Sequence, residues 1–138
     1  MPILGIYIFL VVKDFLKEDN NYNKIMIKNP KYQIKKSTNS QFYWVLISVN
    51  GEPILKSSET YVSKQGCQTS IASSKSNLTD SCFKRMKTVS NQYYFTQVAS
   101  NGQTLGISEM YQTTQGCENG IAAVKRDAPI ANIEDLTI

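Results

Sequence analysis

No histidine occurs anywhere in the 138-residue chain. A Ser-His-Asp triad, a Cys-His pair, an HExxH metal site and a His-ligated zinc are therefore excluded. Asp, Glu, Lys, Tyr and Cys are what remains for acid–base work. Cysteine is scarce as well. Cys67, Cys82 and Cys117 make an odd number and show no CxxC spacing. That pattern suits neither disulfides nor zinc, and a reducing cytoplasm is the expected compartment. No GxGxxG and no GxxxxGK[ST] occurs, so the dinucleotide and phosphate-loop signatures are missing. No cofactor, metal site or catalytic residue is expected. Nor does any apolar run reach the about 20 residues needed to cross a bilayer. Pro2 to Val12 is apolar, but no Lys or Arg precedes it and no small-x-small cleavage site follows, so it is also a poor signal peptide.

What is present is enough for one folded domain. Hydrophobic residues make up 41% and charged residues 19%, a balance that favours a packed core over disorder. Residues 1–28 read as an N-terminal extension, 29–80 as a first repeat and 81–138 as a second, the two repeats sharing one globule. Three readings of residues 1–25 stay open. They form a short docking helix, or a membrane-surface or inefficient export segment, or translation begins at Met26. The last is the expectation, because the repeat unit is complete without them. The net charge of +4 is unevenly placed. Met26 to Ser90 holds ten basic residues against Glu52, Glu59 and Asp80, whereas Asn91 onward holds Lys125 and Arg126 against five acids. Such asymmetry either guides packing and partner contacts or marks a solvated face.

The same order of elements is written twice, about fifty residues apart. A short strand, KYQIKKS from Lys31 or CFKRMKT from Cys82, precedes an aromatic strand, QFYWVLISV from Gln41 or QYYFTQVAS from Gln92. Asn50-Gly51 and Asn101-Gly102 then signal hairpins, since both residue types tolerate positive φ. A third strand follows, PILKSS or TLGIS, with one extra residue in the first copy that reads as a bulge. Ser58-Glu59-Thr60-Tyr61 and Ser108-Glu109-Met110-Tyr111 come next, then helices capped by Ser63 and Thr113. Cys117, Ile121, Val124 and Ala128 form an apolar stripe, matched by Cys67, Ile71, Ser74 and Leu78. Pro129 ends the second helix, and ANIEDLTI offers a last strand.

This ordered set resembles the YegP-like tandem-repeat family over about Asn29 to Thr137. The second copy carries the resemblance best, through Asn101, Gly102, Ser108, Glu109, Tyr111, Gly120, Ile121, Val124, Lys125, Ala128, Pro129 and Glu134-Asp135-Leu136-Thr137. The first keeps Asn50, Gly51, Ser58, Glu59, Tyr61, Ile71 and Lys75, but has Ser70 where a Gly is expected. The resemblance implies an α+β fold of two tandem β-β-β-α-β units. These share one antiparallel sheet with both helices on one face and terminal strands exchanged between repeats. It implies no activity and no catalytic residues.

Strand alternation puts Phe42, Trp44 and Leu46, with Tyr93, Phe95 and Gln97, on the helix side. Gln97 then needs a hydrogen-bond partner or a place at the sheet's end. Tyr43, Val45, Ile47 and Val49 face the other way, as an apolar candidate interface. A second protomer, an unknown ligand or protein partner, or the N-terminal segment is expected to cover it. Glu59 and Glu109 are expected to accept backbone N–H bonds at a structural corner rather than to act as paired acid and base. Lys35, Lys36, Lys84, Arg85 and Lys87, beside aromatics, are candidate contacts for single-stranded nucleic acid. The leading expectation is a non-enzymatic interaction or self-association module. A weak nucleic-acid binder is the alternative.

Overall fold

The computed structural model describes residues 29–138, so the N-terminal extension and the Met26 start lie outside the described residues. The first unit runs β1 (Lys31–Lys36), β2 (Phe42–Ile47), β3 (Pro53–Ser57) and α1 (Lys64–Ser76). A 3-10 turn (Asp80–Cys82) leads into the second: β4 (Phe83–Lys87), β5 (Tyr93–Val98), β6 (Thr104–Ser108) and α2 (Thr114–Asp127). A 3-10 turn carrying Pro129 then ends in β7 (Asn132–Asp135). The helix starts are capped as the hydroxyls at those positions dictate. Ser63 Oγ accepts from the Gly66 N–H at 3.0 Å and Thr113 Oγ1 from the Gly116 N–H at 2.9 Å.

One seven-stranded sheet results, in the order β4-β5-β6-β3-β2-β1-β7. Neighbouring strands are antiparallel, with one exception that corrects the all-antiparallel expectation. β7 lies parallel to β1, pairing Lys31 with Asn132 and Ile34 with Asp135. The chain reaches that edge after α2, and a helical connection is what allows a parallel neighbour. Among the described residues no strand makes the reciprocal journey, and β4 forms the opposite edge.

Charge holds β7 in place. Lys64 Nζ meets Asp135 Oδ2 at 2.7 Å, Lys31 Nζ meets Glu134 Oε2 at 3.2 Å, and Lys75 Nζ donates to the Ala131 carbonyl at 2.6 Å. The basic first unit thus grips the acidic tail of the second. Asp135 in turn offsets the awkward placing of Lys64, a cation in a helix's first turn. The Lys64 ammonium and the Thr137 hydroxyl and N–H pull the Asp135 carboxyl down to about 2.

Both helices cover one face. Trp44, Leu46, Leu55, Phe95, Cys67, Ile71, Cys117, Ile121 and Val124 form one core beneath them. The units interlock by unequal side chains. A Cβ on Gly106 would come within 3.0 Å of the Trp44 ring, so the indole occupies room left by the equivalent of Leu55. Gln97 finds its partners inside: its amide donates to the Ser74 and Asn77 carbonyls at 2.8 Å and its Oε1 accepts from Ser74 Oγ at 2.7 Å. Tyr32 Oη lies 2.8 Å from the same Ser74 Oγ. The repeat equivalents of this polar pair are Leu46 and Val124, both apolar and buried.

Two local expectations change. In the Asn-Gly turns the glycines alone take positive φ, 86° at Gly51 and 87° at Gly102. Asn50 and Asn101 act through their side chains, whose Oδ1 atoms accept from the Glu52 and Gln103 N–H groups, each at 2.9 Å. The extra residue of the first copy is not in the third strand, because β3 and β6 are equally long. It lies between Ser57 and Tyr61. Bulges occur instead at Leu46/Ile47 and Gln97/Val98, in both copies.

Candidate interaction face

The repeated motif proves to be a corner built by serine. Ser57 Oγ accepts from the Trp44 N–H at 3.2 Å and donates to the Glu59 carbonyl at 2.9 Å. Ser108 Oγ accepts from the Phe95 N–H at 2.9 Å and donates to the Glu109 carbonyl at 2.8 Å. Ser57, not Ser58, is therefore the counterpart of Ser108. Ser58 is exposed and donates to the Thr104 carbonyl. Tyr61 and Tyr111 close the corner through backbone bridges to Phe42 and Tyr93.

Glu59 and Glu109 do not do what was expected of them. Both are exposed, and neither carboxylate takes a hydrogen bond among the described residues. β3 and β6 run antiparallel, with Leu55 opposite Ser108. The two glutamates therefore leave opposite ends of the sheet, about five residues or roughly 17 Å apart along the strands. They form no catalytic pair.

The cysteines are also withdrawn. All three are buried. Burial, with the Asp135 charge adding to it, pushes the Cys67 thiol up to about 11. Among the described residues no group of three Cys, Asp or Glu could hold a metal ion.

The face away from the helices is the remaining feature. A register row crosses all seven strands there: Lys84, Thr96, Ile107, Lys56, Val45, Gln33 and Glu134. Alternation adds Lys31 and Lys35 on β1, Tyr43 on β2, Tyr94 on β5 and Met86 on β4. Lys31, Lys35, Lys56 and Lys84 thus stand against one strand acid, Glu134, which Lys31 and Gln33 already engage. The candidate apolar interface is less bare than its sequence suggests. Val45 is buried, while Tyr43, Ile47 and Val49 are half-buried. Lys56 contributes to this cover, with its Nζ 5.1 Å from the centre of the Tyr43 ring.

The five candidate nucleic-acid residues divide between the two faces. Lys35 and Lys84 are on the open face, separated by five strand steps, about 24 Å. Lys36 and Lys87 lie on the helix side, over the rings of Phe42 and Tyr93 at 5.4 and 5.6 Å. Arg85 is spent on Asp80 at 2.9 Å and Glu118 at 2.8 Å, and holds both carboxyls below their ordinary range. No single basic patch joins them. A groove of about 720 Å³ opens instead beside the first unit's corner, lined by Lys36, Thr38, Tyr43, Lys56, Glu59, Thr60 and Ile107 among others. Sequence reasoning missed Lys56, which is the centre of this face; its alternation with Leu55 and Ser57 in PILKS was the available signal.

Residues 37–81 and 89–135 each match the family described as "Domain of unknown function (DUF1508)". The UPF0339 protein YegP of Yersinia pestis is 40% identical over 108 residues, covering 78% of this chain and 96% of that protein. The YegP of Escherichia coli O157:H7 is 42% identical over 107 residues, with 77% and 96% covered. The solution NMR structure of the protein of unknown function yegP from E. coli superposes with a TM-score of 0.74 at 36% identity, covering 80% of this chain and 96% of that one. A UPF0339 protein structure from Shewanella oneidensis gives 0.73 at 35% identity, with 78% and 92% covered. Among the described residues no helix is long and apolar enough to cross a membrane.

Proposed function

The chain belongs to the DUF1508 family, and from that premise we propose that it is a non-enzymatic protein-interaction module whose working surface is the open face of the sheet. One observation carries this reading. The helices cover one side only, and the other presents four lysines against the already-paired Glu134 and the groove's Glu59, around two half-buried tyrosines. Buried thiols and separated glutamates support the non-enzymatic part. The charge argues for an anionic partner over a second copy. Stacking two such faces about a two-fold axis would set lysines against lysines, and like charge across an interface is costly.

The test is a photo-crosslinking residue placed at Ile107, in the middle of the face, and separately at Ala122, exposed on α2. Adducts with other proteins from the Ile107 position, and few from Ala122, are expected on irradiation in living cells. Equal adducts from both positions, none from Ile107, or a self-dimer alone would contradict the proposal.

A further inference from the structure

The two ends of the open face are chemically unlike, and the difference follows the repeat. Equivalent positions are 51 apart as far as Ser57 and Ser108, and 50 apart from Tyr61 and Tyr111 onward. Lys35, Thr38, Lys56 and Thr60 of the first unit correspond in this way to Met86, Val89, Ile107 and Met110 of the second. At each of the four places the first unit is cationic or hydroxylic and the second is apolar. The apolar four are open to solvent: Met86 by 42%, Val89 by 106%, Ile107 by 36% and Met110 by 48%. Tyr43 and Tyr94 are the residue that both ends share.

Register sets the distance between the ends. Thr96 opposes Ile107, Ile107 opposes Lys56, and Lys56 opposes Val45. Tyr94 and Tyr43 therefore lie three strands apart and four residues apart in opposite directions from that row. About 14 Å across by about 14 Å along gives a diagonal of roughly 20 Å. The backbones of Lys56 and Ile107 sit at its middle, and the Lys56 ammonium reaches to the Tyr43 end, 5.1 Å from the centre of that ring.

We propose that this diagonal docks an extended segment of another protein, with one or two carboxylates at one end and an apolar side chain about six residues away. The proposal rests on the open-face reading above. Six extended residues at about 3.3 Å each span the diagonal. The carboxylates would meet Lys56 in the groove, with Lys35 beside it opposite Tyr43, and Glu59, which also lines the groove, would set their direction by repulsion. The apolar side chain would lie between Met86, Val89 and Met110, where flexible thioethers adapt to varied shapes. A uniform polyanion such as single-stranded nucleic acid would satisfy the lysine end and leave the methionine end without a contact.

The experiment is display of random peptides of about twelve residues, long enough to span the diagonal, panned against the full chain. Enriched sequences are expected to share an acidic pair and an apolar residue about six positions apart. A synthetic peptide of that consensus should bind the Lys56→Gln variant about ten-fold or more weakly, and likewise a Val89→Thr, Met110→Thr variant. Substituting these exposed residues spares the core. Enrichment without acids, no enrichment over a blank surface, or binding by either variant as tight as by the unsubstituted chain would overturn the proposal. So would tighter binding of a single-stranded oligonucleotide of about ten nucleotides. If Ile107 crosslinks to proteins while panning yields no acidic consensus, the peptide chemistry is wrong and the open-face reading stands. Loss of the Ile107 adducts removes both.

Discussion

Gly120 is where the packing argument can be tested most sharply. A Cβ there would collide with Tyr111 Oη and lie 2.7 Å from Tyr111 Cζ and 3.0 Å from Phe95 Cε1. The phenol ring cannot yield easily, because its backbone is bridged to Tyr93 and its ring stacks on Phe95 at 6.4 Å. Overpacking of this kind costs about 3 kcal/mol at the upper end of its usual range. Replacing glycine by alanine inside a helix returns about 1 kcal/mol. Gly120→Ala should therefore destabilise by about 2 kcal/mol, readable as a lower urea midpoint and a melting temperature lower by roughly 10 °C. Tyr111→Phe in the same background removes the colliding oxygen and should recover part of the loss. The first unit shows the alternative solution. Ser70 stands at the equivalent place, and its Oγ accepts from Trp44 Nε1 at 2.9 Å and from Tyr61 Oη at 2.7 Å. Ser70→Gly should also destabilise, by about 3 kcal/mol, since it orphans a buried indole N–H and adds a helical glycine. A neutral or stabilising Gly120→Ala, showing only the helical gain, would refute this reasoning.

Three other outcomes follow from the structure. Gln97→Leu alone should cost about 2 kcal/mol in urea unfolding, because the buried Ser74 hydroxyl and carbonyl lose Gln97, while Gln97→Leu with Ser74→Val and Tyr32→Phe should cost much less, since it removes every side-chain member of the buried polar group. Glu109→Gln should leave the melting temperature within error, since the corner rests on Ser108, and Ser108→Ala should lower it clearly. Asp135 titrates below its ordinary 3.8, so its contribution is whole above that pH and is lost as pH falls through about 2. Comparing urea midpoints at about pH 5 and about pH 2, Asp135→Asn should flatten the acid-side decline.

Much of this fold was legible in the chain. Apolar periodicity placed both helices, their caps and the aromatic strands, because burial and hydroxyl capping are local in sequence. The need of Gln97 for a partner was visible too, though not that Ser74 and Asn77 would supply it from a helix above. What escaped were features set by long-range pairing. The parallel docking of β7 depends on Lys31, Lys64 and Lys75, far from it in sequence. The fitness of Ser57 over Ser58 as the corner residue depends on which hydroxyl faces Trp44. Asp127, buried and bound to Arg126 at 2.7 Å, had one signal. An acid in a helix's last turn opposes the dipole and calls for a partner. The open face of β2 reads from sequence as an apolar surface in need of a cover, because alternation shows which side a residue is on, not which neighbouring lysine lies over it.

The central claim, that the lysine-bearing face is the one that binds, can be measured directly by methyl NMR. Met, Ile and Val methyls would be followed while a polyglutamate peptide of about ten residues, long enough to cross the face, is added. The account predicts that Val45 and Ile107, which flank Lys56, move together, while Met86 at the apolar end and Ile71, Ile121 and Val124 beneath the helices stay still. Shifts centred on the helix side, or no shifts at any site, would contradict it.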